Sequence, residues 1–305
     1  STAKYRLFLS GASKYKCNSR MKGIILAGGK GTRVYPMTLG VAKSLLPVYD
    51  KPLIYYSLST FLENGINEIC IISTPEHLPA FKSTLGNGSR FGAKLSYKEQ
   101  AEPKGIAQAF TIAKNFIKQD NVSLLLGDNI FYGSSVFSRA FKNFISGSTI
   151  FAYEVNDPER YGVIELTKSG KPIGIEEKPQ NPKTNLAIPG LYIFDNKVVN
   201  MAARLRPSAR DELEIADLIK AYLVGESLKV LRINRGCAWL DAGTCESINQ
   251  ASEYVKVIEE RQGIKVGCPE EAAFKSGLLS KKELKEQTQK MPNMEYRHYL
   301  ERILR

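Results

Sequence analysis

Leu26-Ala27-Gly28-Gly29-Lys30-Gly31-Thr32-Arg33 follows directly on the apolar run Lys22 to Leu26, and the reading of this junction decides the fold. A short continuous apolar run reads as a strand buried on both faces. Three glycines behind it let backbone N–H groups approach and cradle phosphate oxygens without interference from a Cβ. Two better-known phosphate loops do not fit. No segment matches GxxxxGK[ST]. The dinucleotide fingerprint GxGxxG needs glycine at position 34, which is Val34, and Ser73-Thr74 stands where an acid would hold a ribose. A nicotinamide oxidoreductase is thereby excluded.

Outward from this loop, short apolar runs alternate with amphipathic stretches. Pro52 is expected to open a helix through Asn64, with Ile54, Leu58, Phe61 and Leu62 on one face and Gly65 closing it. Strands are expected at Glu68 to Ser73, Ala93 to Tyr97 and Val122 to Leu126, with a helix from Ile106 to Ile117 before the last of these. Strands separated by helices of this size imply a parallel sheet covered on both faces. From about Thr149 strands become more frequent (149–155, 162–166, 172–177, 187–194), and helices return at 197–205, 212–224 and 244–262. The expected class is α/β: a doubly wound, mostly parallel, Rossmann-like core with a mixed-sheet second part and a helical C-terminal segment. The division is a nucleotide half at 21–148, a second half at 149–263 and a C-terminal segment at 264–305. Residues 1–20 are Ser/Lys-rich and read as an addition to the fold, a disordered tail of cloning or mis-assigned origin, with Met21 as the natural first residue.

Composition narrows the chemistry. The chain has 305 residues, five scattered cysteines without a CxxC pair, and only two histidines. Such cysteines read as reduced thiols of a cytoplasmic protein. A histidine-built metal centre is excluded, so a divalent metal would rest on carboxylates, which favours Mg²⁺. No stretch approaches the roughly 18 uninterrupted apolar residues of a membrane span, so no membrane partner is expected. Of the net charge of +12, residues 1–20 supply five through Lys4, Arg6, Lys14, Lys16 and Arg20, and no run of five basic residues occurs. A solvated basic surface is expected, with no nucleic-acid partner.

Two acids sit where ligands bind in open α/β sheets. Asp128, in Gly127-Asp128-Asn129, ends an apolar strand, and Asp241, in Trp239-Leu240-Asp241-Ala242-Gly243-Thr244, lies at another strand-to-helix junction. Two such carboxylates can share one Mg²⁺ and leave positions open for phosphate oxygens. A metal held there would also neutralise charge on those phosphate oxygens.

The glycine loop continues into Tyr35-Pro36-Met37-Thr38 and Ala42-Lys43-Ser44-Leu45-Leu46-Pro47-Val48. The whole resembles the sugar nucleotidyltransferases, whose signature is LAGGxGTRLxPxTxxxxKxxLPV. That resemblance implies a loop of Leu26, Gly28, Gly29, Gly31, Thr32 and Arg33 around a nucleoside triphosphate. In it Arg33 stabilises the leaving pyrophosphate and Lys43 contacts the phosphates of both substrates. It makes Asp128 and Asp241 the metal ligands, with Asp128 also beside the nucleotide. Glu177-Lys178-Pro179 matches the family's EKP, with Lys178 on the sugar phosphate and Glu177 on sugar hydroxyls. Asn129, Tyr161, Gly162 and Gly190 complete the implied sugar-phosphate site. Further segments, among them Leu126-Gly127-Asp128-Asn129-Ile130-Phe131-Tyr132-Gly133 and Arg210-Asp211-Glu212-Leu213-Glu214-Ile215, resemble the branch that joins dTTP to glucose 1-phosphate, giving dTDP-glucose and pyrophosphate. That branch implies a homotetramer.

The resemblance places the base against Gln100 and the loop from Pro103 through Gly105 to Gln108. Gln100 carries both a donor and an acceptor, which suits the imide edge of thymine or uracil. The edge is common to dTTP and UTP, and a methyl discriminates by only about 1–3 kcal/mol, so a UTP-dependent transferase is the nearest alternative. The other is a regulatory subunit of the same fold, although Arg33, Asp128 and Asp241 are all present. Departures from the family pattern are Lys30, Ala42, Ser44, Lys104 and Cys245. Lys30 and Lys104 add positive charge and bear on nucleotide affinity and base preference more than on chemistry. The implied mechanism is in-line attack of a sugar-phosphate oxygen on the α-phosphorus. It needs no protein nucleophile and no general base, so neither His77 nor His298 receives a role.

Overall fold

The computed structural model describes residues 20–29, 31–133 and 135–305. The expectation for residues 1–20 falls, Arg20 apart, outside the described residues, as does Lys30. In chain order the strands are β1 (Met21–Leu26), β2 (Pro47–Val48), β3 (Lys51–Pro52), β4 (Glu68–Ser73), β5 (Lys94–Glu99), β6 (Asn121–Leu126) and β7 (Asn129–Tyr132), then β8 (Ser148–Glu154), β9 (Gly162–Leu166), β10 (Pro172–Glu177), β11 (Leu186–Ala187), β12 (Leu191–Phe194), β13 (Leu228–Arg232) and β14 (Ala238–Asp241). The helices are α1 (Ile54–Glu63), α2 (Leu78–Leu85), α3 (Gln108–Ile112), α4 (Lys114–Ile117), α5 (Val136–Lys142) and α6 (Val198–Ala202), then α7 (Ile215–Val224), α8 (Cys245–Gln262), α9 (Pro269–Lys275), α10 (Lys281–Gln289) and α11 (Glu295–Ile303).

One sheet runs β10-β9-β11-β8-β12-β6-β1-β4-β5, with β13 beside β8. The block β6-β1-β4-β5 is parallel. Beyond β6 the pairing turns antiparallel through β12, and only β13 runs parallel to its neighbour. Successive residues of the central strands face opposite cores. Ile24, Cys70, Ile72 and Leu124 pack beneath Phe110, Ile117, Val198 and Ile219 of α3, α4, α6 and α7. Ile25, Ile69, Ile71 and Leu125 pack against Phe61, Phe81, Phe137 and Ala272 of α1, α2, α5 and α9. This two-sided burial explains the unbroken apolar runs of the sequence, and the doubly wound α/β class stands.

Where the elements differ from expectation, the backbone shows why. Pro52 does not open α1, because residues 51–52 form a ladder with 47–48 and Leu53 N–H donates to the Leu46 carbonyl at 3.0 Å. The 187–194 run breaks at Pro189, which lacks an N–H, and β12 begins only at Leu191. The 106–117 helix is two pieces meeting at Ala113, with no Pro or Gly at the break. Helices α2 and α5 and strands β7 and β13 went unread in the sequence.

A third, smaller core under the glycine loop joins Val34, Leu46, Val48 and Tyr56 to Ile130, Ala242, Ile248 and Val255. It fastens the loop to β7 and to α8, whose start is fixed by a reciprocal cap in which Thr244 and Ser247 exchange backbone-to-hydroxyl hydrogen bonds. Beside it lies a buried charge network. Glu259 accepts from Lys51 Nζ and Lys265 Nζ, each at 2.8 Å, and from Val266 N–H at 2.9 Å, while Lys265 also meets Asp50 at 2.5 Å. The Lys51, Glu259 and Lys265 side chains are 2%, 3% and 6% exposed. Removing one member of a buried pair leaves an uncompensated charge, at a cost of about 3–5 kcal/mol. Glu259→Ala should therefore lower the urea unfolding free energy by about that amount. A change under about 1 kcal/mol, the size of an exposed pair, would show that the network contributes little.

Candidate active site

The site is built where β1 and β6 end. Ala27 N–H donates to the Ile72 carbonyl at 2.8 Å and Gly127 N–H to the Leu26 carbonyl at 2.9 Å, so both chains leave the sheet together. Gly31 is left-handed (φ 60°), and its carbonyl accepts from Thr38 Oγ1 at 2.9 Å and Val34 N–H at 3.0 Å. A Cβ there would come within 2.8 Å of Thr38 Cγ2, so both conformation and space call for glycine. Val34 is buried in the small core, which turns Thr32 and Arg33 outward. Arg33 lines a cleft of about 160 Å³.

Asp128 and Asp241, far apart in sequence, meet through one ladder. Strand β7 pairs antiparallel with β14 so that Asp241 lies opposite Asn129, and Ala242 N–H donates to the Asp128 carbonyl at 2.9 Å. Lys43 Nζ donates to Asp128 Oδ2. Asn129 Nδ2 donates to Asp128 Oδ1 at 2.8 Å, and Asn129 Oδ1 accepts from Trp239 Nε1 at 2.7 Å and Gly190 N–H at 3.0 Å. Asn129 is only 2% exposed, and its amide is spent on orienting Asp128, Trp239 and Gly190.

The two carboxylates titrate in opposite directions. Burial pushes Asp128 up, but the charge and hydrogen bond of Lys43, with Asn129 and Arg33, hold it below its ordinary value. Asp241 is raised from 3.8 to about 6, by burial first and then by the Asp128 charge. A rise of that size is worth about 3 kcal/mol. Among the described residues no group donates a hydrogen bond to the Asp241 carboxylate, and its one ion-pair contact, to Arg160, is at 3.8 Å. A buried, under-satisfied carboxylate beside a second one is a fitting donor set for a hard divalent cation. Among the described residues no group of three or more His, Cys, Asp or Glu side chains is arranged to hold a metal ion by itself.

The opposite wall of the cleft comes from β9 and β10. Gly162 pairs with Glu177, and Lys178 N–H donates to the Tyr161 carbonyl at 3.0 Å. Lys178 has φ 46°, a left-handed turn that re-aims its side chain at the end of the strand. The Tyr161 and Trp239 rings lie 5.0 Å apart. Glu177 is raised by burial, then by Glu214, against the opposing charges of Lys178 and Arg210. Arg210 Nη2 sits 3.5 Å from Glu177 and 2.9 Å from Glu214.

The cleft thus unites Arg33, Asp128, Asn129, Tyr161, Gly162, Glu177, Lys178, Gly190 and Asp241, and Lys43 joins through Asp128. Leu26, Gly28, Gly29, Gly31, Thr32, Gln100, Pro103 and Gly105 are not its walls. Gly28 backs onto Gln100, and Gly105 (φ 96°) lies so close to Leu213 that a Cβ would be 2.5 Å from its N and O. Lys104 pairs at the surface with Glu102 at 2.9 Å. Arg160, Arg210, Glu214 and Gln108 take up positions that the sequence reading gave no individual role. Each adjoins a motif already singled out, which was the available signal. Among the described residues Cys70, Cys237, Cys245 and Cys268 are free thiols, and no helix is long and apolar enough to cross a membrane.

The profile of the nucleotidyl transferase family matches residues 22–257. The glucose-1-phosphate thymidylyltransferase of Neisseria meningitidis serogroup A is 50% identical over 288 residues, covering 93% of this chain and 100% of its own. That of Mycolicibacterium smegmatis is 50% identical over 286 residues, covering 93% and 99%. A Bacillus anthracis protein solved in complex with a sucrose superposes with a TM-score of 0.72 at 40% identity, over 77% of this chain and 94% of that one. A UDP-glucose pyrophosphorylase solved with UDP-glucose shares the fold at a TM-score of 0.69 and 21% identity, over 78% and 98%.

Asp241 gives a direct check on the site's electrostatics. A carboxyl-carbon NMR titration of the metal-free protein should show it titrating at about 6. Asp128→Asn removes the second of the two causes, so the value should fall. An unchanged value would mean that burial alone sets it.

Proposed function

The chain belongs to the nucleotidyl transferase family, and from that membership we propose that it transfers a thymidylyl group from dTTP to glucose 1-phosphate, releasing pyrophosphate and giving dTDP-glucose. The relatives that match this chain along nearly their whole length carry that activity in their names. The observation that carries the reading is the joining of Lys43, Asp128 and Asp241 at one end of a cleft that holds Glu177 and Lys178 at the other. One end suits the phosphate chain of a nucleotide and the other a phosphorylated polyol.

In this reading the nucleotide half, 21–148, receives dTTP. The N–H groups around Gly28, Gly29, Gly31 and Thr32 face the triphosphate, and Arg33 neutralises charge that builds on the departing pyrophosphate. Gln100, with Pro103 and Gly105 beside it, faces the base. The second half, 149–263, receives glucose 1-phosphate. Lys178 holds its phosphate, Glu177 accepts from sugar hydroxyls, and Tyr161, Gly162 and Gly190 shape the wall. Lys43 stands between the two substrates and lowers the repulsion between their phosphates. Asn129 acts by orienting Asp128. The attacking phosphate oxygen is ionised near neutral pH, so positioning and charge neutralisation replace a general base. Asp128 and Asp241 would hold Mg²⁺, which when bound supplies Lewis-acid polarisation of phosphoryl oxygens. The free thiols fit a cytoplasmic enzyme, and a homotetramer completes the reading.

Pyrophosphate release should be fast with dTTP, glucose 1-phosphate and Mg²⁺, slower with UTP, and absent after chelation. Asp128→Asn should cost at least about 100-fold in kcat, the size expected when transition-state electrostatics are lost. Lys178→Ala should act on the sugar side, raising KM for glucose 1-phosphate far more than KM for dTTP. No turnover of folded protein with any triphosphate would sink the reading. An equal effect of Lys178→Ala on both KM values would remove its assignment to the sugar phosphate.

A further inference from the structure

The patch beside Gly28 contains a chain of polar contacts whose direction is set by the backbone. Gln108, the first residue of α3, accepts at Oε1 from the Lys104 backbone N–H at 3.1 Å. The same oxygen accepts from Gln100 Nε2 at 2.8 Å. A side-chain amide can turn end for end and exchange donor for acceptor, but a backbone N–H can only donate. The Lys104 N–H, which also donates to the Glu102 carbonyl at 2.9 Å, would meet an NH2 group donor to donor, so Gln108 presents its oxygen to it, and that oxygen takes the NH2 group of Gln100. The carbonyl oxygen of Gln100 is left turned the other way, onto Gly28, where a Cβ would lie 2.3 Å from it.

Gln100 is 2% exposed, and among the described residues nothing donates to its free oxygen. The peptide on the far side is held as well. Lys104 O, in the next peptide along, accepts from Leu213 N–H at 2.8 Å, which ties residue 104 to the Leu213 backbone.

We infer that Gln108 is a positioning residue that sets base selectivity by locking Gln100 as an acceptor. The inference rests on the reading that places the base against Gln100. A locked acceptor matches the ring N3–H of thymine or uracil. Cytosine has a bare nitrogen lone pair at N3, and would meet the Gln100 oxygen lone pair to lone pair. An unlocked glutamine could turn its NH2 group to cytosine and lose the distinction. Gln108 touches no substrate in this arrangement. Its effect passes wholly through the direction of the Gln100 amide.

The test compares kcat/KM for dTTP and dCTP in the full-length enzyme, with Gln108→Leu, Gln108→Glu and Gln100→Leu beside the parent. Leucine keeps the bulk and removes the acceptor, and the dTTP-to-dCTP ratio should fall by about tenfold or more. Glutamate keeps an oxygen for both donors, and the ratio should stay within about threefold of the parent. If Gln108→Leu slows both nucleotides equally and leaves the ratio intact, its role is structural and the lock is overturned. A loss of the ratio in Gln108→Glu as large as in Gln108→Leu overturns it too. Gln100→Leu separates the two levels of the inference. Should the ratio survive that change, the base does not face Gln100 and the underlying reading falls. Should it collapse there yet survive Gln108→Leu, the reading stands and only the lock fails.

Discussion

Two carboxylates are held side by side by the β7–β14 ladder, and the rest of the cleft is arranged around their repulsion. The Asp128 charge raises the cost of ionising Asp241, on top of the cost of burial. The protein leaves that cost in place and distributes it unequally. Asp128 receives Lys43 and Asn129 and is held below its ordinary value, while Asp241, whose one ion-pair contact among the described residues is Arg160 at 3.8 Å, is the one pushed upward. One carboxylate is held toward its charged form and fixed in direction by Lys43 and Asn129, and the other gains most from an incoming positive charge.

Holding that pair in place is the work of elements that carry no chemistry. The small core of Val34, Leu46, Ile130, Ala242 and Val255 lies between the glycine loop, β7 and α8. A shift in any of these would move Arg33, Asp128 or Asp241 relative to the others. The Glu259 network ties the turn that follows the Lys43 segment to the start of the C-terminal helices, with Lys51, Glu259 and Lys265 buried and Asp50 partly exposed. Buried ion pairs are expensive, and their value lies in geometry more than in stability. Here they fix the turn at Asp50 and Lys51, and with it the loop that delivers Lys43 to Asp128.

The large features were legible because two-sided burial writes itself as continuous apolar runs. Strand β4 matched its expected bounds, and β1 and β6 began one residue earlier than read, since Ile24 with Ile25 and Leu124 with Leu125 bury both faces. Motif spacing singled out Arg33, Asp128, Glu177, Lys178 and Asp241, which the fold gathers around one cleft, and it also singled out Gln100 and the glycines of the loop, which lie outside that cleft. What stayed hidden has physical causes. Strand β7 is only four residues long and borrows its order from β14, which a local reading cannot see. The break at Ala113 carries no Gly or Pro marker. The interruption at Pro189 was marked, but its purpose was not. It frees the Gly190 N–H for Asn129 and its carbonyl for Leu126, so an apparent strand defect becomes part of the site. The partners of Gln100, Arg210 and Asn129 are likewise contacts across the sheet ends.

Leu213 shows how closely the loop at Gln100 and the turn at Arg210 are joined. Its N–H donates to Lys104 O at 2.8 Å and its carbonyl accepts from Ala107 N–H at 3.2 Å, so the loop beside Gln100 and the turn bearing Arg210 share a short stretch of ladder. That turn is itself tight: Ser208 accepts from Arg210 N–H at 3.2 Å and donates to Glu214 at 2.7 Å, and Arg210 reaches on toward Glu177. Gly105 makes the splice possible, because a side chain there would overlap the Leu213 backbone. A displacement of the loop at Gln100 must then be carried into the turn behind Glu177, since backbone hydrogen bonds at this spacing offer no slack to absorb it. The loop at Gln100 and the turn that carries Arg210 toward Glu177 are thus two edges of one hydrogen-bonded seam, joined through the Leu213 backbone.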